Sequence, residues 1–293
     1  MPGIPTAEVT VTTDLVRALL QRQHPDLAHL PLSLVASGFD NFMFRLGEEY
    51  CVRLPRRQIA AQLLTNEQRW LPVLAPQLPI PVSSPLRVGK PGLDYPWHWS
   101  VLPWFEGECA DISPPGKAAA ETFCEFLLQL HQPAPSDAPT NPVRGGHLAG
   151  RIESFDARVA HLASTTNVIT PVVQALWHQG LSASVTDHRC WLHGDLHAQN
   201  ILIERGQIAA VIDWGDITAG DVATDLQSIW ALFDQPADRE HILKVYAPDQ
   251  ATLERAKAWA ILMAVVMIDT GRNGSPRHEK QGRQQLQRVL QDS

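Results

Sequence analysis

The chain has 293 residues, of which 44% are hydrophobic and 19% are charged, and its formal net charge at pH 7 is -7. This length is sufficient for two subdomains with a cleft between them, or for one large domain. The acidic balance argues against a dedicated nucleic-acid-binding protein, which would carry a basic surface.

The cysteines and the apolar segments exclude further classes. The four cysteines lie far apart and form no CxxC pair, so neither a zinc motif nor a redox motif is indicated. The first residues lack the charged start and apolar core of a signal peptide. The apolar run at residues 259–268 is about half of a membrane span. We therefore predict a cytoplasmic protein that contacts neither nucleic acid nor membrane.

The first hundred residues predict a small lobe rich in strands. Residues 12–20 combine a polar start with apolar positions at helical spacing, which predicts a capped amphipathic helix. A second helix is predicted at 58–75, with Pro72 expected to end or kink it. The runs that favour strands are 42–46, 50–54, 82–88 and 97–105.

The rest of the chain predicts a mostly helical lobe. A proline-rich loop covers residues 133–142, and a short β region is expected between 190 and 214. The predicted helices are 118–130, 152–162, 172–181, 222–233 and 252–268. The predicted fold is therefore α+β and bilobal, with a β-rich N-lobe at residues 1–102, a hinge at 103–108 and a mostly helical C-lobe at 109–293.

Chemistry concentrates in one segment of the second lobe. His193 and Asp195 are followed by Asn200, and Asp213 comes after a strand-like run and precedes Trp and Gly. A hairpin is expected between them at residues 204–206. Kinases have the same order, with His-x-Asp and then Asn, a hairpin, and Asp-aromatic-Gly. A single aspartate in a loop is usually a turn former or a helix cap. Five positions that each carry a specific residue type at a fixed spacing point instead to phosphoryl transfer.

The residue types suit that chemistry. The transferred phosphoryl group is strongly anionic, so catalysis is mostly positioning and charge stabilisation. Mg²⁺ prefers oxygen ligands, which Asn200 and Asp213 can supply, and Asp195 can orient a hydroxyl and take its proton. His193 and His197 stand at i, i+4, which would suit zinc on a helix. The flanking strands argue against a helix, and we expect His193 to support the loop through hydrogen bonds.

The segment resembles the aminoglycoside phosphotransferase family of kinase-like enzymes. The matching residues are His-Gly-Asp-Leu-His at 193–197, Asn200, and Ile-Asp-Trp at 212–214, with weaker similarity in the first lobe. The resemblance implies that Asp195 is the catalytic base and that Asn200 and Asp213 bind Mg²⁺. It also implies that Asp225 braces the catalytic loop.

The resemblance further implies a nucleotide site in the first lobe. Arg53 stands where such kinases place a strand lysine, and Glu67 is its expected ion-pair partner. The phosphates would be covered by the segment with Ser37 and Gly38, and the base would meet the hinge at Leu102 to Phe105, which includes Trp104. Two features depart from the pattern, since no Gly-x-Gly-x-x-Gly loop exists and arginine replaces lysine. Arginine stays charged and can bind phosphate with two nitrogens.

The implied activity is Mg²⁺-dependent transfer of the γ-phosphoryl group of ATP or GTP to a hydroxyl of a small molecule, such as an aminoglycoside or another antibiotic. Alternatives are a kinase of choline, homoserine or a sugar, or a catalytically silent nucleotide-binding module. A protein kinase is disfavoured because no Ala-Pro-Glu follows Asp213. The sequence leaves the acceptor, the nucleotide and the oligomeric state open.

Two sets of residues are candidates for acceptor contacts. Acidic side chains would pair with the ammonium groups of an aminoglycoside, and the candidates are Asp216, Asp221, Glu153, Asp156 and Asp234. Tryptophans could face an apolar ligand such as a macrolide, and the candidates are Trp177, Trp230 and Trp259. Aromatic residues at helical spacing are more often part of a core.

Overall fold

The computed structural model describes residues 5–185, 188–272 and 274–293. Helix α1 (Thr13–Gln23) begins at a cap, because the Thr12 hydroxyl accepts a hydrogen bond of 3.2 Å from the Leu15 amide. Its inner face buries three apolar side chains, Val16, Leu19 and Leu20. The predicted capped helix is confirmed.

An antiparallel sheet of five strands follows α1 in the described part of the chain. Its spatial order is β1-β2-β3-β5-β4. The strands are β1 (Leu32–Ser37), β2 (Asn41–Leu46), β3 (Tyr50–Pro55), β4 (Arg87–Gly89) and β5 (Trp99–Pro103). Arg53 in β3 is paired with Met43 on one side and with Ser100 on the other. The register therefore fixes Arg53 in the middle of the sheet.

Two strand predictions in this region were wrong or incomplete. Of the predicted strand at 82–88 only the end is extended, in β4, while Val82 makes an isolated parallel bridge to Val211. Pro81 and Pro85 explain the difference, because proline cannot donate to a ladder. Strand β1 was not predicted, and it lies exposed along most of its length, so its sequence carries no alternation of buried and exposed positions.

Helix α2 (Gln58–Leu74) carries the fully buried Glu67. The helix does not end at Pro72 but runs to Leu74, and a 3₁₀ turn at Ala75–Gln77 follows directly. A proline in the last turn removes one backbone donor at a place where the helix is already tightening. The predicted helix at 58–75 is therefore present to within one residue, and it does not end at Pro72. The alternative expectation, a kink at Pro72, stays a prediction.

Helices dominate the rest of the described chain, as predicted. They are α3 (Ala119–Leu130), α4 (Ile152–Thr165), α5 (Pro171–Ser182), α6 (Ala223–Leu226), α7 (Ser228–Leu232), α8 (Pro236–Tyr246), α9 (Gln250–Arg272) and α10 (Pro276–Gln291). The predicted helix at 222–233 is present as two short helices that meet at Gln227, whose backbone keeps a right-handed helical conformation. The Gln227 side chain donates a hydrogen bond of 2.7 Å to the Leu196 carbonyl.

Short strands between the helices place the motif residues. Strand β6 (Glu108–Cys109) pairs with β8 (Ile201–Glu204), which pairs with β9 (Gln207–Val211); β7 (Cys190–Leu192) pairs with β10 (Thr218–Gly220). The β8–β9 turn has positive φ at Arg205 and Gly206, which suits a tight hairpin. The Ile212 amide donates to the Asn200 carbonyl at 2.9 Å. The predicted hairpin is present, and it brings Asn200 next to Asp213.

The large core of the second region contains the three candidate tryptophans, Trp177, Trp230 and Trp259, each at most 1% exposed. They are therefore core residues and do not face a ligand. Within the described ranges, no helix is both long and apolar enough to cross a membrane. The α+β prediction is confirmed. The division into residues 1–102, 103–108 and 109–293 stays a prediction, with β5 ending at Pro103 and β6 beginning at Glu108.

Candidate active site

A cavity of about 860 Å³ lies between the five-stranded sheet and the helical region. The candidate residues that line it are Gly38, Arg53, Leu102, Trp104, Asp195, Asn200 and Asp213. Glu67, His193 and Asp225 are buried and support lining residues. Ser37 is not part of the lining but lies at the exposed end of β1. One cleft thus gathers the motif residues and most of the predicted nucleotide contacts.

Asp225 holds the backbone of the loop at residues 193–200, which is the predicted catalytic loop. Its fully buried carboxylate accepts hydrogen bonds from the His193 amide at 2.7 Å and the Gly194 amide at 3.0 Å. His131 Nε2 lies 3.6 Å from the same carboxylate, and His131 Nδ1 is 2.8 Å from the Tyr246 hydroxyl. Hydrogen bonds to an ionised acceptor are stronger than neutral ones. The buried Asp225 carboxylate therefore anchors the loop on the side that faces the protein interior.

His193 ties the catalytic loop to the segment before Asp213. Its Nδ1 accepts a hydrogen bond of 3.2 Å from the Asp195 amide, and its Nε2 lies 3.0 Å from the Ile212 carbonyl. An amide can only donate and a carbonyl can only accept, so Nε2 carries the proton. Both ring nitrogens are engaged within the protein, and the zinc alternative finds no support in this geometry.

Gly194 allows the loop to turn. Its φ is +86°, and a Cβ at this position would lie 2.5 Å from the Asp216 carbonyl oxygen. Other residues are strained at such a φ, and the near approach of a backbone oxygen leaves no room for a methyl group. Glycine is required here by conformation and by space.

Asp195 has a partner at each carboxylate oxygen. Arg144 forms an ion pair with Oδ1, and His197 Nε2 lies 3.4 Å from Oδ2. Burial alone would raise the pKa of the Asp195 carboxyl, but the Arg144 guanidinium, together with His197, outweighs burial and holds that pKa well below its usual range. Asp195 is therefore ionised at neutral pH and able to accept a hydrogen bond from a hydroxyl.

Asn200 and Asp213 offer oxygen atoms beside Asp195. The Asn200 amide nitrogen donates to the Asp195 carbonyl at 2.9 Å, which leaves the amide oxygen as the atom that can bind a cation. Asp213 has a left-handed conformation with φ of 60°, and its side chain is 57% exposed. This donor set fits Mg²⁺, which is held in such sites by one or two protein oxygens and by substrate phosphates.

In the described ranges, no group of three or more His, Cys, Asp or Glu residues could hold a metal ion. A closed protein cage of the kind that binds structural zinc is therefore not formed by those residues. An open site that the phosphates complete requires fewer protein ligands, which is consistent with a pair such as Asn200 and Asp213.

Arg53 joins the sheet to the Asp213 side of the cleft. Its guanidinium pairs with the Glu67 carboxylate, and its Nη1 lies 3.5 Å from Asp213 Oδ1. Arg53 is 4% exposed and Glu67 is fully buried. Burial alone would lower the pKa of Arg53, but the two carboxylates outweigh it and raise that pKa. The Arg53 guanidinium is thus held beside Asp213 by its pairing with Glu67.

The hinge end of the cavity is apolar. Side chains from the sheet and from the helical region line it together, and they are Ala36, Met43, Cys51, Leu102, Leu202 and Ile212. The Trp104 ring is covered by the Arg45 guanidinium at 4.0 Å, and the Trp104 amide donates to the Glu49 carbonyl at 2.8 Å. Apolar walls contributed from two sides form a slot that suits a flat aromatic base.

Most of the acidic candidates for acceptor binding do not reach the cleft. Asp221 is held by Arg255 at 2.6 Å, Asp234 pairs with Arg288, and Glu153 and Asp156 lie exposed on α4 outside the lining. These four expectations were wrong, because ion pairs or helix position remove the side chains from the cavity. Asp216 alone of the five candidates lines the cleft, and it accepts a hydrogen bond of 2.7 Å from Asn141.

Sequence reasoning missed Arg144 and the role of His197. Arg144 lies 51 residues before its partner Asp195, in a loop that no motif marks. The available signal was the pair of glycines that follows it. Gly145 has a φ of +70° and packs so closely on Gly220 that a Cβ on Gly220 would lie 2.2 Å from the Gly145 carbonyl oxygen. This close packing places Arg144 at the cleft.

Solved structures share this fold. The GDP complex of wild-type aminoglycoside 2'-phosphotransferase-IIIa matches with a TM-score of 0.69 at 15% identity, over 97% of this chain and 100% of that chain. Macrolide 2'-phosphotransferase MphH from Brachybacterium faecium matches with a TM-score of 0.60 at 20% identity, over 94% of this chain and 97% of that chain. The streptomycin–ATP–APH(2")-IIa ternary complex matches with a TM-score of 0.59 at 17% identity, over 88% of this chain and 91% of that chain. The predicted kinase-like fold is confirmed.

No curated protein compared with the sequence matches it. The model of the family APH, described as the phosphotransferase enzyme family, matches residues 31–259. The matched region is most of the chain and includes the whole motif at 191–226, so the predicted family resemblance is confirmed. The chain therefore belongs to the phosphotransferase enzyme family.

Proposed function

We propose that this phosphotransferase moves the γ-phosphoryl group of a nucleoside triphosphate to a hydroxyl of a small molecule, with Asp195 as the catalytic base. The observation that carries the proposal is the convergence of Asp195, Asn200 and Asp213 in one cleft, on a loop and a hairpin that share hydrogen bonds. Phosphoryl transfer needs this combination of a base and cation-binding oxygens.

Each residue has a defined task in the proposal. The ionised Asp195 accepts the hydrogen bond of the acceptor hydroxyl. It takes the hydroxyl proton as the oxygen bonds to the γ-phosphorus and the bond from that phosphorus to the leaving nucleoside diphosphate breaks. Asn200 and Asp213 hold Mg²⁺, which when bound neutralises charge on the phosphates. Asp225 and His193 keep the loop in place through their backbone hydrogen bonds. The low pKa of Asp195 keeps it ready to accept a hydrogen bond near neutral pH.

The nucleotide occupies the sheet side of the cleft in this proposal. The base enters the apolar slot next to Leu102 and Trp104, and Arg53 reaches the α- and β-phosphates while Glu67 fixes its direction. The segment with Ser37 and Gly38 covers the phosphates. Relatives of the same fold were solved with GDP and with ATP, which supports a nucleotide co-substrate and leaves both nucleotides as candidates.

The acceptor is a hydroxylated small molecule. Similar structures include complexes with kanamycin and with streptomycin and a macrolide phosphotransferase, so an antibiotic is the leading candidate. Choline, homoserine and sugars are the alternatives that the same catalytic apparatus permits. A cytoplasmic location fits an enzyme that consumes nucleoside triphosphate.

The test is a transfer assay on the purified protein with Mg²⁺, comparing ATP with GTP across these acceptor classes. The Asp195→Ala variant should lose about 10³-fold in turnover and keep its nucleotide affinity within about threefold, since the base contacts the acceptor. Asp156→Ala, which removes an exposed carboxylate from α4, is the matched control and should match the wild type.

The outcomes separate the alternatives. Wild-type turnover in the Asp195→Ala variant would refute the assignment of the base. Nucleotide binding without Mg²⁺-dependent transfer to any acceptor would instead favour the silent nucleotide-binding module.

A further inference from the structure

One face of helix α9 lines the cleft beside the catalytic base. Met263, Val266, Met267 and Thr270 all contribute to the cavity wall, and their spacing of three, four and seven residues places them on one side of a helix. Arg144 connects this wall to the chemistry, because its Nη1 lies 3.2 Å from Met263 Sδ while its Nη2 pairs with Asp195. A molecule that approaches Asp195 therefore meets this wall.

The wall is apolar along most of its length. We call Met263, Val266 and Met267 the methionine strip. The two methionines are 7% and 8% exposed, and Val266 is half-buried. Methionine is flexible and polarisable, so it adapts to apolar ligand surfaces of varied shape. The strip offers dispersion contacts and burial of apolar area, and it offers no charged group to a ligand.

The carboxylates near the strip are already engaged. Among the described residues that line the cavity, those with a carboxylate each have a partner: Asp40 with Arg57, Asp195 with Arg144, Asp213 with Arg53, and Asp216 with Asn141. On α9 itself, Asp269 is held by Arg158 and His161. Three of the four partners of the cavity carboxylates are guanidinium groups, whose positive charge opposes the approach of an ammonium group and does not oppose that of an uncharged ligand.

From this distribution of charge and apolar surface, and resting on the proposed function, we propose that the acceptor is an uncharged hydroxyl compound with an extended apolar surface. The methionine strip receives that surface, and the hydroxyl projects to Asp195. A compound with several ammonium groups is a poor acceptor, because guanidinium groups already pair with three of the four carboxylates in the described part of the cleft.

The test measures binding by calorimetry in the presence of Mg²⁺ and ADP, so it does not require knowledge of the natural acceptor. The probes are methyl β-D-glucoside, hexyl β-D-glucoside and kanamycin. The two glucosides carry the same hydroxyls and differ by five methylenes, each worth up to roughly fourfold in affinity when buried. The wild type should bind the hexyl probe at least about tenfold more tightly than the methyl probe, and kanamycin more weakly than the hexyl probe.

Variants separate a ligand-binding strip from ordinary core packing. Met267→Glu should reduce the preference for the hexyl probe to below about threefold and strengthen kanamycin binding, while Met267→Leu should keep the preference. Val172→Glu adds the same charge at an exposed site on α5 and should behave as the wild type. If Met267→Glu does not fold, Val266→Asn at the less buried position should likewise reduce the preference for the hexyl probe.

Each result decides the proposal. Tighter binding of kanamycin than of the hexyl probe by the wild type would overturn it, as would an unchanged preference in the folded Met267→Glu or Val266→Asn variant. Absence of binding by both glucosides, with Mg²⁺ and ADP still bound, would also overturn it. If the wild type does not bind Mg²⁺ and ADP, that result would instead contradict the proposed function.

Discussion

Two loops that meet at the cleft are built in opposite ways. The catalytic loop at residues 193–200 is largely buried, and its backbone is held by Asp225, by the two nitrogens of His193 and by Gln227. The segment at residues 37–41, which we propose covers the phosphates, is mostly exposed. Besides a hydrogen bond of 2.9 Å from the Gly38 amide to the Asn41 carbonyl, its contacts are mainly with Arg56 and Arg57 at the end of the neighbouring strand.

The difference teaches where geometry must be fixed before the substrate arrives. A base and two cation-binding oxygens work only at defined separations, so the catalytic loop gains from rigid, buried hydrogen bonds. A segment that covers phosphates has to admit and release the nucleotide, and low local stability suits that task. Substitutions should therefore damage the two loops to very different degrees.

Asp225→Ala should have the largest effect. It removes the acceptor of two amide hydrogen bonds and leaves buried donors unsatisfied, which costs about 3–5 kcal/mol of unfolding free energy. Turnover should also fall, because the loop that carries Asp195 loses its anchor. Urea unfolding of this variant and of Asp156→Ala measures the difference. A loss below about 1 kcal/mol would show that Asp225 is not the anchor.

Gly194→Ala and Gly38→Ala form a matched pair across the two loops. At Gly194 the positive φ and the nearby Asp216 carbonyl should cost about 2–3 kcal/mol and most of the turnover. At Gly38 the nearest atom to an added Cβ is 3.6 Å away, so stability should change by less than about 1 kcal/mol. Thermal unfolding and transfer assays on both variants provide the comparison, and similar losses would contradict it.

The same contrast explains how much of the molecule was predictable. The α+β fold, the β8–β9 hairpin and the family resemblance could be predicted from the sequence. The motif at 191–226 is short, and many of its positions carry a specific residue type at a fixed spacing. The helical segments at 118–130 and 252–268 followed from apolar periodicity. These features depend on residues that are near one another in the chain.

What could not be predicted depends on distant pairs or on exposure. Arg144 reaches Asp195 across 51 residues, and the two glycines that follow Arg144 are a weak local signal that does not indicate this partner. Asp221 was a candidate for acceptor binding, but Arg255, 34 residues later, neutralises it. Strand β1 was missed because an exposed strand has no apolar alternation to reveal it. The roles of the site residues, by contrast, stay predictions until variants are assayed.

Phe39→Ala should have the smallest effect on stability. The ring is 56% exposed at the tip of the phosphate-covering segment and contacts the Arg57 guanidinium at 4.9 Å. Its removal should change the free energy of unfolding by less than about 0.5 kcal/mol. If this segment covers the phosphates, KM for the nucleotide should rise about two- to fivefold while kcat is nearly unchanged, as expected when an interaction equal in ground and transition states is lost. A large fall in kcat with unchanged KM would show that the segment positions the reacting phosphate, and the contrast between the two loops would then be one of burial alone.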